Sequence, residues 1–572
     1  MSIDIETYRL KAQEAIEYVF VKEYHNSLGI PMPIVKMLLP DDANYSTGQY
    51  YITIDKTWQI YLNFGKLPIS YHEFQNEVKV LTRHEIEHYM CCPFDVITHF
   101  RMLKRIRDVY YKHFSHLGIN IEYACGAISN QAADIIVDTK NYYRHSKETL
   151  KSEIDWIKIG ANISACPRHC KLMFLTKEAI WKEDLGINET DPEFLKIVHQ
   201  LADSFTKNGI EDKSSFLDKV EEYAEIFFKL YVEDQKNPQQ SSQQGSQQQS
   251  GQQGSQQQSG QQGSQQQSGQ WGVGRPKDGD EHGNAFVFAD PDKVKEAIEV
   301  LAEETSVEEF IDLLAIAGII GMSDKQKGVL WFNVQSANII PIVEFSNTGN
   351  KSSYTYPSVW RIGDPIEELD LMLTYMTSPR LIPGMTTKKW GYVSNDDNGT
   401  ESKQMDLLLV VDTSGSMGSA MKESANMHQA VLASYGILSY FESTKSKVAF
   451  IGFSDKIDAY VDWSDKYDDV RERLLTNGHG GTKFPISRIK STLDVRSRDL
   501  VTVLITNGDL GNINESVSYF RDYLNDDNKL YIFLLGGSKS LHSYEPLKNI
   551  GAKIYNANNA NEFCDMVLTD ME

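Results

Sequence analysis

A chain of 572 residues with 41% hydrophobic content has room for roughly two to four domains, each with its own core. The net charge of −22 disfavours duplex nucleic acid or anionic membrane as the main partner, because both repel such a surface. Six cysteines are too few for a disulfide framework in so long a chain and fit a reducing compartment.

The first residues, MSIDIETYRLKAQEAIEYVF, place acidic side chains where a secretory signal needs positive charge followed by an apolar run. The longest apolar stretch, Leu313 to Met322, is about half the length needed to span a bilayer. The expected location is therefore cytoplasmic. YYITIDKTWQIYLN (50–63) alternates around Asp55-Lys56 as a β-hairpin, and NEVKVLTRHEIEHYMCC (76–92) then reads as a helix.

That helix contains HEIEH. His84 and His88 are four residues apart, so they project from one face a turn apart and can share a tetrahedral zinc ion. Glu85 lies beside that face, placed to take a proton from an activated water, as in H-E-x-x-H metallohydrolases. Further helices are expected at 96–113, 127–144 and 214–232. The second of these, in SNQAADIIVDTKNYY, presents Asp134 and Asp138 on one face. One carboxylate is a candidate third zinc ligand and the other a candidate to orient a ligating histidine. CPRHC, Cys166 to Cys170, reads as a loop with free thiols, since no second Cys/His pair at zinc-site spacing completes a set. This half is an α+β domain, 1–235.

Around Pro238 the composition changes to a low-complexity segment (236–280) in which QQGSQQQSG begins at Gln243, Gln252 and Gln261. With nothing apolar to bury, it is expected to be a flexible tether, reaching about 30 Å and letting the two halves move independently. Beyond it lies a helical and irregular extension, 281–400, in which DPDKVKEAIEVLAEE and SVEEFIDLLAIAGIIGM read as helices and the rest is aromatic-rich.

From Met405 the pattern becomes regular. MDLLLVVD, KVAFIGFS, LVTVLITN and KLYIFLLG are nearly continuous apolar runs separated by helical stretches, the signature of a parallel sheet covered on both faces. The first run ends in DTSGSMG, at the carboxyl end of a strand, where open α/β sheets bind ligands. Asp412, Ser414 and Ser416 offer a carboxylate and two hydroxyls, oxygen ligands suited to Mg²⁺ or another hard divalent cation.

Residues 401–572 thereby resemble a von Willebrand factor A (VWA) domain, DTSGS matching the DxSxS of its metal-ion-dependent adhesion site. The resemblance implies a doubly wound, Rossmann-like sheet, a threonine ligand at Thr482 in GHGGTK and an aspartate in a third loop. There LITNGD departs from the pattern, with Asn507 in the aspartate position and Asp509 two residues on. One negative charge is lost, so a weaker cation site is expected. VWA sites bind a partner's carboxylate rather than catalyse, which implies a protein partner.

In the first half, NQAAD following HEIEH resembles the N-x-A-x-D segment of zincin-like HExxH metallopeptidases that carry a C-terminal VWA domain. The resemblance makes Asp134 the third zinc ligand and leaves Asp138 in support. It implies cleavage of a protein or peptide substrate and association with a MoxR-type AAA+ ATPase. The chain has no GxxxxGK[ST] loop of its own, so ATP-driven work would come from that partner. The alternative expectation is a non-enzymatic adaptor on such an ATPase, as in the VWA subunits of magnesium and cobalt chelatases.

Overall fold

The structure is a computed structural model describing residues 5–28, 32–38, 50–54, 59–64, 70–159, 163–236, 291–319, 322–337, 358–360, 369–370, 388–389, 405–496, 499–508, 510, 512–526, 528–536 and 541–557. They form two compact units: the described residues of 1–305 with 309–321, and those of 306–308 with 322–572.

The first unit is mostly helical. Helix α1 (Ile5–Glu17) leads to a small sheet of β1 (Ile34–Leu38), β2 (Tyr50–Ile54) and β3 (Gln59–Phe64). Strand β3 is central, parallel to β1 and antiparallel to β2, with Tyr50 opposite Phe64 and Ile54 opposite Ile60. The Asp55-Lys56 turn lies outside the described residues. Helix α2 (Tyr71–Met90) starts on a capping box: Ser70 Oγ accepts from the Glu73 amide at 3.3 Å, and the Glu73 carboxylate accepts from the Ser70 amide at 3.2 Å. Its Phe74, Val78 and Ile86 join Ala12 and Ile16 of α1, and Val19 in the turn that follows it, in one apolar cluster.

Helices α3 (Val96–Val109), α4 (Ile121–Ile159), α5 (Arg168–Trp181), α6 (Pro192–Thr206) and α7 (Phe216–Lys236) complete the body. Helix α4 runs past the expected 127–144 and bends at His145, whose φ of −136° and ψ of 49° are not helical. Beyond the low-complexity segment, which lies outside the described residues, come α8 (Pro291–Glu304) and α9 (Val307–Ile316). Helix α8 packs on α3, as α7 does. Neither Cys166 nor Cys170 is in a disulfide; His169 and Cys170 lie in the first turn of α5 rather than in a loop, and His169 pairs with Asp234, Nδ1 to Oδ2 2.9 Å.

The second unit holds α10 (Asp324–Ala337), short β4 (Ser358–Val359), β5 (Leu369–Asp370) and β6 (Lys388–Lys389), then a six-stranded sheet. Its strands are β7 (Asp406–Asp412), β8 (Val448–Phe453), β9 (Ile457–Ser464), β10 (Leu500–Thr506), β11 (Lys529–Leu535) and β12 (Lys553–Ala557). The order is β12-β11-β10-β7-β8-β9, parallel throughout except for the antiparallel edge strand β9. Strands β7, β8 and β10 are buried along their whole length, which is why they are continuously apolar, whereas β9 is mostly half-exposed and mixed in composition. Interleaved are α11 (Asn426–Ser443), α12 (Tyr467–Leu474), α13 (Ile486–Leu493), α14 (Val517–Asn525) and α15 (Leu541–Lys548). Helix α10 lies on α11, with Trp331 5.3 Å from the His428 ring and Phe332 5.6 Å from Tyr435. This is the doubly wound order, and its switch point falls between β7 and β10.

No helix among the described residues is long and apolar enough to cross a membrane.

Candidate functional site

Helices α2 and α4 pack side by side and bring three buried side chains together: His84, His88 and Asp134. The two imidazole Nε2 atoms are 3.1 Å apart. Asp134 Oδ1 is 3.3 Å from the Nε2 of His88 and 3.5 Å from that of His84. A tetrahedral zinc site with bonds of about 2.0–2.1 Å has ligand-to-ligand edges of about 3.3–3.4 Å. The observed triangle brackets that value.

The far side of each ring is also occupied. Asp138 Oδ1 lies 2.7 Å from His84 Nδ1, and the Cys92 carbonyl oxygen lies 2.9 Å from His88 Nδ1. Neutral rings donating from Nδ1 to these acceptors would turn both Nε2 lone pairs to the centre, the tautomer that a metal requires. Asn130 Nδ2 donates to Asp134 Oδ2 at 3.0 Å and holds the one carboxylate of the triad in place. Two imidazoles and a carboxylate suit a borderline ion, and as three protein ligands they leave a tetrahedral ion one open position.

Charge at the site is balanced by groups distant in sequence. Burial lowers the His84 pKa, but Asp138, with Asp134 and Glu85 adding, outweighs it and pushes the value up to about 9. Burial likewise raises Asp138, yet Lys177 and His84 hold its carboxyl far below the usual range. Lys177 is itself buried, 2.9 Å from Asp138 and 2.5 Å from Glu153. Sequence reasoning missed Lys177 and Glu153; a lysine on a helix carries no local sign that it points inward.

Glu85 is half-buried next to the two histidines. The other glutamate of the motif, Glu87, is fully buried and ties α2 to α4 and to Tyr24. It accepts from Tyr24 Oη and from Arg144 Nη1, both at 2.9 Å, and its Oε2 lies 2.9 Å from Lys140 Nζ. Each residue of HEIEH thus has its own surroundings: two histidines facing Asp134, a glutamate beside them, a core isoleucine and a buried ion-pair hub.

No protein-family model matches the chain, and no curated protein matches it.

In the second unit the residues singled out from DTSGS meet at the switch point. Asp412, buried at the end of β7, accepts from the Ser414 amide at 2.9 Å and from Thr506 Oγ1 at 2.6 Å. Ser414 and Ser416 hydroxyls are 3.0 Å apart. Asn507, after β10, clasps Ser416 twice: its Oδ1 accepts from Oγ at 3.0 Å and its Nδ2 donates to the Ser416 carbonyl at 2.8 Å. The loop carrying Thr482 arrives through Gly480, whose carbonyl accepts from the Gly415 amide at 3.3 Å. A Cβ on Gly478 would lie 2.5 Å from the Thr413 carbonyl, so that approach requires glycine. Asp509 lies outside the described residues. Serine hydroxyls, a carboxylate and an amide carbonyl form an all-oxygen donor set, the chemistry of a hard cation.

Proposed function

We propose that the first unit is a zinc-dependent peptidase of the HExxH kind, with His84, His88 and Asp134 as ligands and Glu85 as general base. The observation that carries this reading is the triangle of 3.1, 3.3 and 3.5 Å edges among two Nε2 atoms and one Oδ1, backed by acceptors on both Nδ1 atoms. Zinc bound there supplies Lewis-acid polarisation of a carbonyl and of water. Glu85 accepts the water's proton and delivers it to the leaving amine nitrogen. Asp138, held by Lys177, keeps the His84 ring aimed at the centre. Strand β2, an edge of its sheet that borders α2, offers main-chain groups along which an extended peptide can pair.

We read the second unit as a VWA domain that binds a protein partner's carboxylate through Mg²⁺ or another divalent cation, and a MoxR-type AAA+ ATPase is the partner that the sequence resemblance suggests. The doubly wound order and the meeting of Asp412, Ser414, Ser416 and Asn507 at its switch point support this.

The test is metal content by mass spectrometry on the full chain, with and without His84→Ala, followed by cleavage of an unstructured protein such as casein by wild type and Glu85→Gln. One zinc per wild-type chain, lost in His84→Ala, with cleavage lost in Glu85→Gln, is the expected result. A folded, metal-free wild type would refute the zinc assignment. Zinc without Glu85-dependent cleavage would favour the adaptor reading.

A further inference from the structure

Helix α3 carries Arg101, Lys104 and Arg107 at three-residue intervals, a spacing that lines them along one helix face. Each finds an acidic partner from beyond the Gln/Ser/Gly repeat. Arg101 Nε donates to Glu304 at 3.0 Å. Lys104 Nζ donates to Glu309 Oε1 at 2.7 Å, and Arg107 reaches the same oxygen at 3.3 Å and Asp312 Oδ2 at 2.7 Å. Leu301 and Ala302 of α8 and Phe310 and Leu313 of α9 are fully buried, so the helices are packed as well as paired. On the other side of the repeat, α7 packs on the same helix, where Arg105 donates to Glu221 at 2.8 Å.

We propose that residues 291–316 are a clasp that fastens the chain leaving the repeat back onto α3, so that the repeat is a loop with both ends on the metal-bearing unit. The span between the two units is then set by residues after 316 and is independent of the number of QQGSQQQSG copies. The clasp is an interaction surface, basic on α3 and acidic on α8–α9. Arg107 and Glu309 have side-chain exposures of only 14% and 16%, while Arg101 and Glu304 are 39% and 38% exposed. Salt should therefore weaken its rim more than its centre.

The test uses the full chain with a sequence-specific protease site replacing residues 254–260. After cutting, the expected result is that both pieces co-elute on size exclusion at about 0.1 M salt. In Arg101→Glu/Arg107→Glu protein the cut pieces should separate, with a dissociation constant raised at least tenfold. Adding Glu304→Arg/Asp312→Arg should restore co-elution, which a merely misfolded variant would not show. Separation of the wild-type pieces, equal retention in the charge-reversed variant, or no recovery on swapping the charges would each overturn the clasp.

Discussion

Asp138 and Glu153 both rest on the ammonium of Lys177, at 2.9 and 2.5 Å, although a straight helix would hold these two carboxylates about 22 Å apart. The bend at His145 folds α4 back on itself, and a lysine from α5 closes the gap. Burial raises the Glu153 pKa against the pull of Lys177, with Asp138 adding to the rise, so the arrangement depends on the single cation between two acids.

Lys177→Met removes that cation and leaves two buried carboxylates facing each other. Asp138 loses the partner that keeps it charged and placed on His84. Zinc affinity, measured by competition with a chromogenic chelator, should fall ten- to a hundredfold, the usual cost of losing an outer-shell partner. Lys177→Met/Glu153→Gln removes the opposed charge and should recover part of the loss. Unchanged affinity in the single variant would show that Asp138 orients His84 unaided.

The two glutamates of HEIEH should separate in their effects. Glu87→Ala strips a fully buried carboxylate from Lys140, which is itself 7% exposed, and breaking such a pair costs about 3 kcal/mol. Arg144 is 47% exposed and adds little. Denaturant unfolding of the first unit should therefore shift clearly for Glu87→Ala and hardly at all for Glu85→Gln, while Glu85→Gln alone abolishes cleavage at retained zinc content.

These contrasts show where sequence stops informing. Local periodicity and chemistry pick out HEIEH, Asp134 and Asp138, because i, i+4 spacing on a helix fixes a shared face. The same holds for the apolar runs of β7, β8, β10 and β11, since strands buried on both faces leave few polar positions. Lys177, Glu153 and the hub at Glu87 are ion pairs closed across 24 residues (Lys177–Glu153) to 57 (Arg144–Glu87); nothing in the neighbouring sequence distinguishes them from solvated charges. The return of α8 and α9 to α3 was hidden for a related reason. A low-complexity segment reads as a boundary, and composition does not say on which body the chain lands afterwards.

His428 gives the second unit a pH dependence. Its ring is buried against Trp331 and Phe332, and Nδ1 donates to the Ala420 carbonyl at 2.8 Å. Burial lowers its pKa, which the Ala420 bond and Glu423 only partly offset. The folded state thus favours neutral imidazole, and the contribution is complete above the ordinary histidine value of about 6.5 and lost as pH falls below it. The melting temperature of the second unit's transition should drop between pH 7.5 and 5. In His428→Phe it should start lower, because the Ala420 carbonyl loses its donor, and vary less over that range. Parallel curves would show that another group governs the slope.

At the cation site proposed for the second unit, Asn507 is expected to set the balance between a closed loop and a bound ion. Its amide donates to the Ser416 carbonyl and its oxygen accepts from the Ser416 hydroxyl, so without a cation the side chain holds the DTSGS loop to the end of β10. Asn507→Asp deletes the donor and sets a carboxylate facing a carbonyl, near the buried Asp412. In chelator, this should cost about 1–2 kcal/mol of stability, one hydrogen bond plus a repulsive contact. With millimolar Mg²⁺ the sign should reverse, since a second carboxylate strengthens an oxygen site and binding to the folded state alone adds stability by mass action. The variant's Mg²⁺-dependent rise in melting temperature should exceed that of wild type, and its Mg²⁺ affinity by calorimetry should be at least tenfold higher. A variant destabilised equally with and without Mg²⁺ would mean that Asn507 is a structural latch and that the oxygens around it do not receive a cation.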